Sequence, residues 1–285
     1  NVRDEGRIRE IFEQDKPDLV FHAAALKHVA LVEDNPAEGV LTNVLGTWNV
    51  IQAALAVRAA QFVLISTDKA VAPSNVMGAT KRIAEALLTL APQGPTRLSA
   101  VRFGNVLGSA GSVVPIFRDQ IASGGPVTVT HPEVNRYFMT IPEAVQLVLH
   151  STALKAARQD EGPSKFLLEM GEPVRIADLA RQMIELSGKT PDIDVRIEFT
   201  GLKKGEKLAE DLADEGEITR PSVEGILEVV ADHQDCGLDV ERLQALIDAA
   251  RAGYAKELSA LLRQAVAGVC RRHTPGVTED LPRRR

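Results

Sequence analysis

Only two cysteines occur in the 285 residues, Cys236 and Cys270. They lie far apart without metal-ligand spacing. That argues against a disulfide framework and fits a reducing compartment. No apolar run approaches the ~20 residues that cross a bilayer, and no signal peptide is visible. No internal repeat is seen. The net charge of -6 gives no reason to expect nucleic acid or an anionic membrane surface as a main partner. The short basic clusters Arg271-Arg272 and Arg283-Arg284-Arg285 read as the solvated end of a polar, disordered tail. An initiator Met is also missing. Asn1-Val2-Arg3-Asp4 runs straight into a helix pattern, as expected of a piece cut from a longer chain.

What is present suits a core. The hydrophobic fraction is 45% over a length sufficient for one large domain or two modest ones. Arg7 to Phe12 reads as an amphipathic helix ending near Lys16-Pro17. Asp18–Ala23, Gln61–Ser66 and Leu98–Phe103 are short apolar runs, as buried parallel strands should be. A long helical stretch from Asn35-Pro36 to Leu55 separates the first two, and a second from Asn75 to Leu90 follows, with Pro92 and Gly94 as stop signals. This alternation predicts an α/β fold with a doubly wound parallel sheet. Beyond Asn105, short strand-like pieces alternate with helices among Gly and Pro, which predicts a smaller cap. The expected division is 1–110 for the sheet domain, 111–235 mainly for the cap with segments returning to the core, and 236–285 for C-terminal helices and tail.

Ligands gather at the carboxyl ends of such strands. That aligns His22-Ala23-Ala24-Ala25, Ser66-Thr67-Asp68-Lys69 and Phe103-Gly104-Asn105 along one crevice. A hydroxyl, a carboxylate and an amine in succession can supply a hydrogen-bond donor, an acid and a base. Taken alone, Ser66–Lys69 is better read as a polar strand-end turn with a surface ion pair. Met77 and Lys81 share a helix face, and a lysine on an inner face is costly without a partner. Met77 by itself is core packing. Asn105 could hold a ligand oxygen or make an Asx-turn. Arg136 could clamp a diphosphate or lie on the surface. Lys203-Lys204-Gly205-Glu206-Lys207 by itself is a solvated turn.

The set taken together is more specific than any part. Ser66-Thr67-Asp68-Lys69 followed by Pro73–Lys81, with His22–Val29, Asn43–Thr47, Arg102–Ser109 and Gly205–Leu208, resembles the extended short-chain dehydrogenase/reductases. More closely, it is similar to the polysaccharide-biosynthesis branch containing UDP-N-acetylglucosamine 4,6-dehydratases. The likeness runs from the first residue to about Val230. It implies a Rossmann-like sheet with a substrate-binding cap, tightly bound NAD, a UDP-sugar substrate and no metal. It implies transient oxidation at C4, loss of water across C5 and C6, and return of the hydride to C6.

Carried over residue by residue, Lys81 matches the lysine on the nicotinamide ribose. Asp68 matches the acid at C6, Lys69 the base at C5, and Thr67 the donor to the C4 oxygen. Ala23, Ala24, Ala25, Asn43, Ser66 and Phe103 fall on the cofactor side; Lys27, Asn105, Arg136 and Glu206 fall on the substrate side. Met77 stands where most of the superfamily has Tyr and cannot shuttle a proton, so Asp68 or a water near Thr67 and Lys81 takes up the C4 hydroxyl proton. Methionine there points to a larger, membrane-anchored subgroup. The implied location is cytoplasmic, at the inner face of the membrane where upstream spans exist. Lys203-Lys204 replaces the usual Arg-Pro, which loses a bidentate clamp. The Gly-rich loop that cradles the NAD pyrophosphate is not in the sequence and is expected upstream of Asn1, with Asn1–Asp4 as the adenine-contacting stretch. A homodimer or higher homo-oligomer through Asn43–Leu55 and Val76–Leu90 is expected by analogy. An epimerase or reductase on the same fold, or a non-catalytic nucleotide-binding module, are the alternatives.

Overall fold

The computed structural model describes residues 1–109, 111–158, 162–214, 217–230 and 238–270. Cys236 and the basic clusters of the tail lie outside the described residues. Six strands form the main sheet: β1 (Leu19–His22), β2 (Gln61–Ile65), β3 (Arg97–Arg102), β4 (Ser164–Leu168), β5 (Ile218–Val223) and β6 (Ile226–Val230). Their order is β1-β2-β3-β4-β6-β5, parallel across the first four and antiparallel across β4-β6-β5. The three apolar runs are therefore parallel neighbours, as expected. The β5–β6 hairpin was not expected. Pro221 and the charged Arg220 and Glu228 break the apolar alternation that would mark it in sequence.

Local chemistry sets the helix ends. Asp4 accepts from the Arg7 amide to start the first helix, Glu5–Asp15, and Lys16 closes it in the left-handed conformation before Pro17. Asn75 accepts from the Gly78 amide to start Val76–Leu90. The stretch read as one helix from Asn35 to Leu55 is three pieces: a turn at Pro36–Gly39, a π-helical turn at Val40–Leu45, and the helix Gly46–Ala56. The wide turn carries Asn43, whose side chain is engaged elsewhere in the fold.

One sheet face packs on these helices through Phe62, Leu64, Leu98, Val44, Ile51, Ile83 and Leu87. The other face, with Val63, Val101 and Phe166, is covered by the helix Ile141–Ala156. A separate cluster around Phe117, Ile121, Val129, Ile176 and Ile184 forms the heart of the cap. Two C-terminal helices, Val240–Ala252 and Ala255–Cys270, join the first cluster through Leu243, Leu246, Ile247, Leu258 and Leu262. They lie against the Pro36–Leu45 turns and the Val76–Leu90 helix. Surface expected to meet a partner subunit is thus partly filled from within the chain. Among the described residues no helix is long and apolar enough to cross a membrane.

Candidate active site

Pairing between β2 and β3 continues past the strand ends. The Ser66 amide donates to the Val101 carbonyl at 2.8 Å, and the Asp68 amide to the Phe103 carbonyl at 3.1 Å. This holds the Thr67–Ala70 turn against Gly104–Asn105. The approach is tight and suits glycine: a Cβ on Gly104 would sit 3.3 Å from Asp68 Oδ2 and 3.1 Å from Tyr137 Cβ. The turn also abuts the next helix, where a Cβ on Gly78 would run into the Lys69 carbonyl oxygen.

Asp68 is fully buried, which removes the surface-turn account of this segment. Its Oδ1 accepts from Thr67 Oγ1 at 2.8 Å and from Lys69 Nζ at 2.9 Å. Lys69 Nζ also donates to Asn105 Oδ1 at 3.1 Å. Asp68 Oδ2 has no hydrogen-bond partner among the described residues although it is buried. A buried carboxylate oxygen without a donor is expensive, and such groups concentrate where chemistry is done.

Lys81 is buried on the inner face of its helix, one turn beyond the buried Met77. Its Nζ donates to the Ile65 carbonyl at 2.5 Å, which leaves two N–H groups without an acceptor among the described residues. Burial pulls its pKa down to about 8, opposed by Glu85 four residues on. A buried ammonium with spare donors fits a pair of neutral hydroxyls such as a ribose diol. His22, at the end of β1, bonds to Thr47 Oγ1 at 3.0 Å and stacks on Phe62. Burial, then the Lys81 charge, lowers its pKa to about 4, so it is neutral at pH 7.

Asn43 links these elements. Its Oδ1 accepts from the Leu26 amide at 2.7 Å, and its Nδ2 donates to the Leu26 carbonyl at 2.9 Å and to Thr80 Oγ1 at 3.0 Å. One side chain thereby fixes the loop after β1 to the helix that bears Lys81. Ala23 and Ala24 are exposed in that loop and Ala25 is half-buried. Lys27 is exposed there and makes no side-chain hydrogen bond or ion pair among the described residues. In the first residues, Asn49 holds the Val2 and Arg3 carbonyls, and Arg3 reaches Thr42 and Glu38.

Three expected site residues spend their polar groups inside the fold. The Ser66 hydroxyl donates to Glu85 Oε1 at 2.6 Å and is not available to a ligand. Arg136 and Glu206, read separately as substrate contacts, pair with each other at 3.2 Å. Arg136 also donates to the Asn135 and Leu208 carbonyls, and Glu206 accepts from Thr130 and the Lys203 amide. Lys204 reaches Glu33 from the solvent side.

Beneath the site lies a buried ionic network. Arg102 is fully buried and makes a bidentate pair with Glu85 at 2.8 and 2.7 Å, and a further pair with Glu217 at 2.6 Å. Lys165 joins Glu217, and Arg82 joins Asp214. Despite the cost of burial, the cations pull Glu85 down to about 2 and hold Glu217 well below the usual carboxylate range. The network ties the Lys81 helix, β3 and β4 to the segment before β5. Sequence reasoning missed Glu85, although its spacing from Lys81 puts both on one helix face. It also missed the buried Glu210, which carried no local signal at all.

Residues 1–230 match the family described as polysaccharide biosynthesis protein. The chain belongs to this family. It is an extended short-chain dehydrogenase/reductase of polysaccharide biosynthesis. It is 54% identical over 220 residues to the capsular polysaccharide biosynthesis protein CapD of Staphylococcus aureus, covering 76% of this chain and 36% of that protein. It thus spans about a third of the length of that relative. A UDP-glucose 4-epimerase of Rickettsia akari is 39% identical over 199 residues, 68% of this chain and 55% of that one. Among solved structures, Pen from Bacillus thuringiensis superposes with a TM-score of 0.71 at 36% identity, over 80% of this chain and 69% of that chain. The family match ends where β6 ends, so the two C-terminal helices lie beyond it.

Proposed function

We propose that this chain carries the catalytic site of an NAD-dependent nucleotide-sugar 4,6-dehydratase, acting on UDP-N-acetylglucosamine or a close relative for surface polysaccharide synthesis. The observation that supports it best is the Asp68–Lys69 pair, with one carboxylate oxygen buried and unpartnered beside a lysine amine. Elimination of water across C5 and C6 needs an acid and a base side by side. A simple C4 epimerisation needs no acid and base for elimination at C6.

NAD, when bound, supplies the transient oxidation at C4 and the matching reduction at C6. Lys81 would hold its ribose with the two spare N–H groups, and Ala23, Ala24 and Ala25, steadied by the Asn43 clamp, would present backbone to it. In this reading Thr67 hydrogen-bonds the C4 oxygen. Asp68 Oδ2 takes the C4 hydroxyl proton, a role Met77 cannot fill. The C4 carbonyl then accepts the charge left when Lys69 removes the C5 proton. Asp68 passes its proton to the departing C6 oxygen, and Lys69 returns its own to C5. The O4 proton leaves in the water and the C5 proton goes out and back, so protons balance. In this reading Lys27, Asn105 and the Arg136–Glu206 pair would serve the UDP portion.

The test is to incubate the full-length protein with UDP-hexosamines and follow them by NMR. A 4-keto-6-deoxy product is expected; none across the series overturns the reading. A second reading, a UDP-sugar 4-epimerase, is favoured by the Rickettsia relative and would give a C4 epimer without loss of water.

A further inference from the structure

Lys69 must be unprotonated to take the C5 proton, yet in the fold it is placed as the cation of an ion pair with Asp68. Asp68 cannot relieve it of that proton and also accept the one from O4. The scheme therefore needs one more base. This requirement rests on the dehydratase reading above.

Glu210 fits it. Its side chain is buried at 6% exposure. The segment that bears it is pinned over the catalytic turn from both sides. Lys207 Nζ donates to the Val71 carbonyl at 3.1 Å, the Leu208 carbonyl accepts from the Asn135 amide at 2.9 Å, and Asp214 Oδ1 accepts from the Ala72 amide at 2.9 Å. The charges that act on Glu210 are those of Lys69, Asp68, Arg136 and Lys207. The other three are occupied as well as Lys69: Asp68 with Lys69 and Thr67, Arg136 with Glu206, and Lys207 with Val71 and Asp211. Glu210 alone in this group makes no hydrogen bond or ion pair among the described residues. Burial pushes its carboxyl above the usual range; Lys69 opposes this and Asp68 adds to it. A carboxylate so placed holds a proton more readily than an exposed one.

We propose that Glu210 is a positioning residue that takes the ammonium proton of Lys69 across a bridging water, leaving Lys69 as the free amine that attacks C5–H. One N–H bond breaks and one O–H bond forms. Two opposite charges become two neutral groups, which burial favours. The proton returns to Lys69 when product leaves and water re-enters.

The sign of the pH dependence separates this from a plain charge effect. When the proton only moves from Lys69 to Glu210, the active arrangement keeps its total proton count. The wild-type kcat should then be level across about pH 7 to 8.5. In Glu210→Gln, Lys69 must lose its proton to solvent, so kcat should rise with pH over that range. KM should stay within ~2-fold. If Glu210 were only a negative charge near Lys69, its removal would lower the lysine pKa and make the variant faster at neutral pH. A level profile in Glu210→Gln, or a faster variant, overturns the proposal. Glu210→Asp keeps the acid and should keep the level profile at reduced kcat; should Glu210→Gln melt below assay temperature, a sloped profile in Glu210→Asp overturns it instead. Absence of 4-keto-6-deoxy product from the wild type is a separate result, and it removes the dehydratase reading itself.

Discussion

Lys69 Nζ lies 2.9 Å from Asp68 Oδ1, while the second oxygen of the same carboxylate is buried beside Gly104 without a donor. One oxygen holds the lysine and the other is left for a ligand. Asp68→Asn keeps the shape of the side chain and removes the acid. We expect dehydration to fall by ~10²–10⁴-fold, the usual worth of a positioned acid or base. Lys69→Ala should abolish deuterium uptake at C5 in D2O while NAD stays bound. Product NMR and bound-cofactor absorbance read both outcomes.

Gly104→Ala tests the close approach. The added methyl meets Tyr137 Cβ and Met170 Cε as well as Asp68 Oδ2, so the site has to give. A stability cost of ~1–3 kcal/mol is expected from overpacking, with loss of turnover at least as large as for Asp68→Asn. Normal activity in a variant with normal melting would contradict the placement of Asp68.

Lys81 should trade stability for function. Its pKa of about 8 marks a charge held where burial disfavours it. Lys81→Met keeps the stem and removes the charge, so the melting temperature should rise at pH 7. NAD affinity should drop by tenfold or more. A destabilised variant that still binds NAD would reverse both halves of the argument.

Acid should weaken the fold through His22. Its folded pKa of about 4 lies below the ordinary 6.5. The unfolded chain therefore binds a proton that the native protein refuses, and stability present above pH 6.5 is lost as pH falls through about 4. Linkage gives a loss of about 2 kcal/mol between pH 7 and 5. Urea unfolding at the two pH values measures it, and His22→Gln should lack that part of the difference.

The buried network should be unforgiving. Glu85→Gln leaves Arg102 short of its bidentate partner in a fully buried place. Breaking one side of such a pair costs ~3–5 kcal/mol. Arg102→Met with Glu85→Gln should cost less than Glu85→Gln alone. Thermal melts of the single and double variants decide it.

The strand ends, the Thr67–Ala70 turn and the helix bearing Lys81 were legible because their signals are local. Apolar runs mark buried strands, Asn75 marks a helix start, and a fixed fold places whatever follows a strand end in the crevice. Chain sequence by itself therefore determined the parallel sheet and the candidates Thr67, Asp68, Lys69, Lys81 and Asn105. Only the tertiary structure decided which polar groups are spent on other parts of the fold. Ser66 turns to Glu85, Arg136 and Glu206 to each other, and Asn43 to Leu26, because every buried donor or acceptor must find a partner and that partner is remote in sequence. Glu210 comes from 141 positions beyond Lys69, beside Lys207 and Leu208 whose anchors exist only once the chain is folded. The same holds for the C-terminal helices: they were expected as helices, but the sequence did not say that they would cover the helices around Asn43 and Lys81.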